Sequence, residues 1–268
     1  MRPKHNNLEQ VYILLQIHKC AGLSQTAQIT RFFDASQYYG LYNVNDPFLE
    51  NRSAIKIYLQ SLTAQQLDKV RVIAGHGAYY GIHRLISRPC RYVTFLREPH
   101  ARTISNYAYF IQNHETGKRY RKSIVDKRGG VLSFASWFQT RTVMHDYMTR
   151  FLYLRLFYQN IRGKVTNAHL QRVIERLKTF YLVGIVERPM DHWFLYDSLG
   201  LPIVARRRNQ TSSQFYPQHV LTATMTPHLV HDIALYNYFL SHPQPPLPLL
   251  TKAYLSLRYF KHRLLIVQ

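Results

Sequence analysis

The feature that most constrains the fold of this chain is a set of short, continuously apolar segments separated by sequence that favours helices. Apolar runs of this length, rich in β-branched and aromatic residues, predict strands buried on both faces. No hairpin signal joins them, and strands that alternate with helices form parallel sheets covered on both sides. The sequence therefore predicts a three-layer α/β fold with a mainly parallel sheet. The predicted strands are Val11 to Ile17, Arg71 to Ala74, Tyr92 to Leu96 and Tyr181 to Val186.

The segments between these strands carry helix start signals. Thr63-Ala-Gln-Gln66 matches a capping box, and Ser24 is a candidate cap for a helix that runs to Phe33. Pro99 suits the first turn of a helix that continues to about His114. Further helices are predicted from Arg141 to Tyr158, from Asn167 to Phe180, from Pro189 to Gly200 and from Thr226 to Ser241.

The last part of the chain differs in composition from the rest. We expect residues 1–242 to form a single domain, and residues 243–268 to form a proline-rich spacer followed by a basic amphipathic helix. Such a helix could pack on the body of the protein, or it could lie on a membrane surface. Its predicted apolar stripe consists of Leu250, Ala253, Tyr254, Leu257, Phe260 and Leu264.

The charge of the chain indicates the kind of partner that it meets. Its 268 residues include 35 Lys and Arg against 14 Asp and Glu, a formal net charge of +21. So large an excess favours an anionic partner: nucleic acid, a phosphate or sulfate ester, an acidic polysaccharide or a lipid surface. Because 46% of the residues are hydrophobic, a core of ordinary size is available and a disordered basic tail is excluded.

Cysteine and histidine usage argues against a disulfide scaffold or a metal protein. The two cysteines, Cys20 and Cys90, leave one bridge open but exclude a four-cysteine zinc site. The 14 histidines are scattered without metal-ligand spacing, so no metal site is predicted. No apolar run approaches the roughly 20 residues of a membrane span, and Met1 to Gln10 lacks the apolar segment of a signal peptide. We expect a cytoplasmic protein, with association to a membrane surface left open.

The first candidate site is the turn between the first strand and its helix, His18-Lys-Cys-Ala-Gly-Leu-Ser24. Backbone amides of such a turn converge on an anion at the helix N-terminus. Gly22 permits close approach of a ligand, and Lys19 adds a positive charge. The turn is not a Walker A loop, which has its lysine at the far end. A lysine and a glycine in a turn of this kind can also be purely structural.

The second candidate site is Leu96-Arg-Glu-Pro-His-Ala-Arg-Thr-Ile-Ser105, which follows the third predicted strand. Arg97 lies where the strand leaves the sheet, and Ser105 lies about two turns into the next helix. Such a pair can bind one phosphate from two elements, with arginine as a fork and serine as a hydroxyl donor. Open parallel sheets bind ligands at these carboxyl ends of strands. The alternative is a surface Arg–Glu ion pair with Ser105 facing solvent.

Together these segments resemble the carbohydrate sulfotransferases related to heparan sulfate 2-O-sulfotransferase. The resemblance extends from about residue 11 to residue 240, nearly the whole chain. The chain departs from those relatives at His18, where they usually carry proline, and at Leu23, which replaces a hydroxyl residue. The segments that carry the resemblance are Lys19 to Ser24, Gly75-His76, Leu96 to Ser105, Tyr181 to Arg188, which contains a Gly-x-x-Glu strand end, and the basic loop Arg206 to Thr211.

The resemblance implies a P-loop-NTPase-like sulfotransferase fold and transfer of a sulfuryl group from 3′-phosphoadenosine 5′-phosphosulfate (PAPS) to an acceptor hydroxyl. It assigns His76 as the general base and Lys19 as the cation that neutralises the leaving phosphate. It assigns the 3′-phosphate to Arg97 and Ser105. No metal is implied, because alignment and charge neutralisation suffice for such a transfer. The remaining donor-binding residues that the resemblance implies are Cys20, Ala21, Gly22, Leu23 and Ser24 in the turn, and Asn209 and Thr211 in a loop that closes over the nucleotide.

The expected acceptor is a glycan or another anionic substrate, although a lipid headgroup, a tyrosine and a small alcohol also stay open. On this interpretation no specific nucleic acid is a partner. The alternative is a non-catalytic, basic protein that binds nucleic acid or another polyanion, since basic and aromatic side chains can track phosphates and stack bases. Against it, aromatic residues such as Phe151, Tyr153 and Phe157 follow a helical stripe that suits core packing. A nucleotide kinase is disfavoured by the missing Walker A lysine.

Overall fold

A parallel sheet of five strands forms the centre of the computed structural model, which describes residues 10–41, 52–117, 124–203, 212–217, 222–246 and 248–266. The strand order is β2-β3-β1-β4-β5, and each pair of neighbours is parallel. Parallel neighbours need crossover connections, which here contain the helices. The predicted parallel α/β fold is confirmed. The strands are β1 (Val11–Leu15), β2 (Tyr38–Gly40), β3 (Val72–Gly75), β4 (Cys90–Leu96) and β5 (Leu182–Ile185).

Helices cover both faces of the sheet. Alternate residues of β1 point to opposite sides, so Ile13 joins a core that contains Leu152 and Phe239, while Leu14 joins a second core that contains Ile29 and Leu195. The helices are α1 (Gly22–Ile29), α2 (Arg52–Ser61), α3 (Ala64–Lys69), α4 (Pro99–Glu115), α5 (Phe134–Thr140), α6 (Tyr147–Phe157), α7 (Asn167–Leu177), α8 (Pro189–Ser198), α9 (Thr222–Met225), α10 (Val230–Ser241) and α11 (Leu249–Ile266).

Several predicted helix boundaries are wrong. The helix predicted from Thr226 begins at Val230, after a 3₁₀ turn at Thr226–His228, and the helix predicted to reach Phe33 ends at Ile29. The residue that caps α1 is Ala21, which takes a left-handed conformation with φ 64°, and the helix starts at Gly22. The predicted cap Ser24 therefore lies inside the first turn of the helix. The helix predicted from Arg141 to Tyr158 is broken at Asp146, which has φ 46° and bonds to α10 instead of continuing a helix. The capping box of Thr63 and Gln66 is present as predicted.

Helix α11 packs on the body of the protein against α8. Its Tyr259 ring stacks on Trp193 with ring centres 4.4 Å apart, its Arg258 pairs with Asp197, and its Leu255 is fully buried. The predicted apolar stripe is wrong in its orientation, because Leu250 is 85% exposed and Leu257 is 71% exposed. The boundary of the main domain at residue 242 stays a prediction.

Candidate functional site

The carboxyl ends of β1, β3 and β4 lie side by side at the centre of the sheet. From β1 the chain continues to β2 and β3 on one side of β1, and from β3 it crosses to β4 on the other side. Open parallel sheets bind ligands at such a reversal of strand order. His18 and Lys19 follow β1, His76 follows β3, and Arg97 follows β4. The predicted residues from three separate motifs are therefore brought to one edge of the sheet.

The turn after β1 holds two non-glycine residues in left-handed backbone conformations. Lys19 has φ 67° and Ala21 has φ 64°. Each such residue costs about 1–2 kcal/mol, and strained residues of this kind cluster at functional sites. Nη1 of Arg97 donates to the backbone carbonyl oxygen of Lys19 at 3.0 Å, which fastens the strained turn to the end of β4.

Gly22 also makes room for a side chain of the protein itself. A Cβ at this position would lie 3.0 Å from Oε1 of the buried Gln16 side chain. Nε2 of Gln16 in turn donates to the carbonyl oxygen of Gly22 at 3.2 Å. Gly22 therefore admits a side chain that braces the turn from inside, and its contact with a ligand stays a prediction.

Positive charge is concentrated around the turn. Nζ of Lys19 lies 4.2 Å from the ring centre of Tyr109, and burial, with the charges of Arg97 and Arg102, lowers the pKa of Lys19 to about 8. Among the described residues, Nε of Arg97 and both Nε and Nη1 of the fully buried Arg102 have no hydrogen-bond partner. The carboxylate Oε1 of Glu187 lies 3.9 Å from Nε of Arg97. Such a set of cations with unused donors fits an anion that carries several charges.

His76 is held as a neutral imidazole with a defined tautomer. Its Nδ1 lies 2.6 Å from the backbone carbonyl oxygen of Gln16, which can only accept, so Nδ1 carries the proton and Nε2 is the basic nitrogen. Burial lowers the pKa of His76, and the charges of Arg155 and Lys19 lower it further, although the bond to Gln16 opposes them. A neutral imidazole of this kind can accept a proton from a hydroxyl group.

Of the remaining predicted residues, Cys20 lies in the turn after β1, Leu23 and Ser24 lie in the first turn of α1, and Ser105 lies on α4. Cys20 is buried, and burial raises its thiol pKa to about 12, so it contributes backbone atoms and not a nucleophile. Leu23 is half exposed beside the partly buried Ser24, and Ser105 is buried on α4. Asn209 and Thr211 lie outside the described residues. Both cysteines are free, and no three His, Cys, Asp or Glu side chains of the described ranges form a group that could hold a metal ion.

Two tyrosines at this edge were not predicted. Tyr109 lies one helical turn after Ser105 on α4. Residues four apart share one face of a helix, so this spacing could have indicated that Tyr109 lies on the same face as Ser105. The hydroxyl of Tyr147 lies 2.7 Å from Nδ1 of His18, although the two residues are 129 positions apart. No local signal predicts that contact, because it depends on how α6 packs against the sheet.

The chain is similar to known proteins over the residues that form this site. Residues 9–195, more than half of the chain, match a family model described as "Sulfotransferase domain". The crystal structure of a sulfotransferase from Alicyclobacillus acidocaldarius is 11% identical, with a TM-score of 0.42 over 86% of this chain and 95% of that chain. Among curated proteins there is no match. The matched residues include β1, β3 and β4 with the side chains at their carboxyl ends.

Proposed function

The chain belongs to the sulfotransferase family, and on this premise we propose that it transfers a sulfuryl group from PAPS to a hydroxyl group of a carbohydrate. The observation that carries the proposal is the convergence of Lys19, Arg97 and the neutral His76 at the carboxyl ends of three neighbouring strands. A donor with several negative charges and an acceptor that must lose a proton need this combination of cations and base.

The residues present fit such a donor. The unpartnered Nε of Arg97 and the cationic turn at Lys19 match a nucleotide with a 3′-phosphate and a 5′-phosphosulfate. When bound, PAPS supplies a sulfuryl group that is already activated by its link to phosphate. On this proposal the turn from Lys19 to Ser24 holds the phosphosulfate, while Arg97 and Ser105 hold the 3′-phosphate. The loop that contains Asn209 and Thr211 is assigned to the nucleotide by resemblance alone.

In the proposed reaction the protein supplies charge and a proton acceptor. Nε2 of His76 takes the proton of the acceptor hydroxyl as its oxygen bonds to sulfur. The ammonium group of Lys19 stabilises the negative charge that collects on the phosphate oxygen as the sulfur–oxygen bond breaks. An acidic glycan fits as acceptor because the net charge of +21 attracts polyanions to the protein.

Calorimetry with 3′-phosphoadenosine 5′-phosphate tests the donor half of the proposal. We expect Arg97→Ala to abolish binding, whereas Arg91→Ala, on the same strand but at its opposite end, leaves binding unchanged. Raising salt from about 50 to 200 mM should weaken binding only moderately, because few phosphates are neutralised. A steep loss with salt and indifference to Arg97 would favour the non-catalytic polyanion-binding protein instead.

Transfer of labelled sulfate from PAPS to a panel of glycans and other alcohols tests the catalytic half. His76→Ala should keep its affinity for the nucleotide and lose transfer by about a hundredfold or more, in line with the contribution of a general base. Unchanged transfer in this variant would remove His76 from the mechanism. Transfer to a lipid headgroup, a tyrosine or a small alcohol, but to no glycan, would overturn the choice of acceptor.

A further inference from the structure

The imidazole of His18 stacks directly on that of His76. Their ring centres are 3.6 Å apart and the planes differ by 13°. At the edge of the His18 ring, Nδ1 lies 2.7 Å from the hydroxyl of Tyr147, whose own ring is covered by the buried guanidinium of Arg102 at 4.3 Å. A continuous series of contacts therefore connects a buried cation with the candidate base.

The chemistry of these groups sets the direction of the hydrogen bond. Burial lowers the pKa of His18 well below its ordinary value, and the charges of His76 and Arg102 lower it further, so His18 is neutral at neutral pH. A guanidinium against the ring of Tyr147 favours the phenol as donor. Nδ1 of His18 then accepts this bond, and the bond fixes the orientation of the ring from its edge while His76 lies against its face.

The groups around His76 oppose the positive charge that it acquires as a base. Lys19 from the turn after β1 and Arg155 from α6 both lower its pKa, and the carbonyl oxygen of Gln16 alone favours the proton. An imidazolium in contact with the face of a neutral aromatic ring gains a cation–π attraction, which is strongest where water is excluded. His18 is the ring that lies in contact with that face.

We propose that His18 is a positioning residue for His76, whose ring fixes the plane of the base and stabilises the imidazolium formed when the base accepts a proton. This inference rests on the proposed function, in which His76 removes the proton of the acceptor hydroxyl. Tyr147 supports the arrangement through its hydrogen bond to His18. No reaction step is assigned to either residue.

Two substitutions of His18 distinguish an effect of the stacked aromatic ring from an effect of side-chain volume. His18→Phe keeps an aromatic face, whereas His18→Leu fills a similar volume without one. We expect His18→Leu to lower kcat about tenfold with unchanged KM for PAPS, and to shift the acid limb of the pH profile to lower pH because imidazolium is disfavoured. His18→Phe should keep both the limb and a kcat within about threefold of the parent. Equal behaviour of the two variants would overturn the proposal.

Titration of the His76 ring by NMR, without donor or acceptor, provides a readout that does not depend on turnover. The pKa of His76 should be lower in His18→Leu than in His18→Phe, and an identical pKa in both would contradict the proposal even if transfer is observed. Conversely, if the pKa of His76 differs between the two variants as expected but no acceptor receives sulfate, the proposed function is contradicted and the role of His18 is not. Tyr147→Phe removes the hydrogen bond to His18 and keeps the stacked ring, as His18→Phe does. The pKa of His76 in this variant should stay near that in His18→Phe, and a shift as large as in His18→Leu would contradict the role of the ring.

Discussion

Nη1 of Arg97 donates to the backbone carbonyl oxygen of Lys19 at 3.0 Å. The residue directly after β4 therefore fixes the turn that follows β1. The two residues are 78 positions apart, and their contact depends on the parallel pairing of these strands. Glu187, which follows β5, faces the same guanidinium with an Nε–Oε1 distance of 3.9 Å. Arg97 therefore joins the ends of three strands as well as providing a cation.

The first prediction concerns this double use of Arg97. A lysine keeps the charge but concentrates its donors on one nitrogen, so it lacks the separate donors with which a guanidinium contacts the Lys19 carbonyl and a phosphate in different directions. We expect Arg97→Lys to weaken binding of 3′-phosphoadenosine 5′-phosphate by about tenfold or more, as measured by calorimetry. Arg91→Lys is the matched control. Parent-like affinity in Arg97→Lys would show that charge alone is required.

The second prediction follows from the pKa of Lys19, which burial and the neighbouring Arg97 and Arg102 lower to about 8. At pH 8.5 the free protein then holds mostly neutral lysine, and a bound phosphate should restore the proton. Calorimetry in buffers of different ionisation enthalpy should show uptake of a fraction of a proton, and affinity should fall as pH rises above about 8. Lys19→Arg keeps its charge and should show neither effect. Proton uptake that persists in Lys19→Arg would show that a group other than Lys19 takes up the proton.

The third prediction uses two glycines with positive φ. Gly75 has φ +145°, and a Cβ there would lie 2.3 Å from the backbone oxygen of Leu41, whereas Gly200 has φ +70° and nothing within 4 Å. Gly75→Ala should lower the free energy of unfolding by about 3 kcal/mol or more, because backbone must move, and should displace the adjacent His76. Gly200→Ala should cost only about 1–2 kcal/mol for the left-handed backbone. Chemical denaturation checks both, and equal losses would contradict the close approach at Gly75.

The sequence predicted the sheet and the ends of three strands because both depend on local patterns. Apolar runs define β1, β3 and β4, and a ligand site at the carboxyl ends follows from parallel topology alone. Lys19, His76 and Arg97 could therefore be assigned to one edge before their distances were known. The short strand β2 was missed, since its three residues, Tyr38–Gly40, carry no periodic signal.

Contacts between distant segments could not be predicted in the same way. The stacking of His18 on His76 requires the register of β1 and β3, and the bond from Tyr147 requires the position of α6. The contact between Gly22 and Gln16 could not be predicted, because a glycine that admits a buried side chain looks the same in sequence as one that admits a ligand. The prediction of the buried face of α11 was wrong for a similar reason, because the helix packs against Trp193 and Asp197, which lie about 60 residues earlier.

The fourth prediction concerns Asp232, which is fully buried and caps α6. Its carboxylate accepts from the backbone amides of Met148 and Thr149 at 2.9 and 2.8 Å, while Asp146 caps α10 in return by accepting from the amide of Asp232 at 3.0 Å. Asp232→Ala would leave these amides and the charge of the buried Arg102 uncompensated, so we expect a loss of about 3–5 kcal/mol. Thermal and chemical unfolding measure this loss of stability.

Asp197→Ala is the control, because it breaks only the partly exposed pair with Arg258 and should cost less than about 1 kcal/mol. A similar loss of stability in Asp232→Ala and Asp197→Ala would contradict the argument.

The last prediction concerns the outer face of α11. Leu250, Tyr254 and Leu257 are 85%, 48% and 71% exposed, and their spacing places them on one face of the helix. The helix contains several basic residues and no acidic one, so an anionic lipid surface is the partner that its charge complements. From its charge and its exposed apolar face we expect α11 to contact the surface of a membrane. Within the described parts of the chain no helix is long and apolar enough to cross one.

Sedimentation with vesicles tests this contact. We expect binding to vesicles that contain phosphatidylserine, loss of binding at high salt, and no binding to vesicles of phosphatidylcholine alone. The double variant Leu250→Ser and Leu257→Ser should bind at least about tenfold more weakly, because two apolar side chains no longer enter the lipid. Its stability should stay within about 0.5 kcal/mol of the parent, since both positions are exposed. Ile57→Ser, which changes an exposed apolar residue of α2, is the matched control, and an equal effect of this substitution would show that α11 does not contact the membrane.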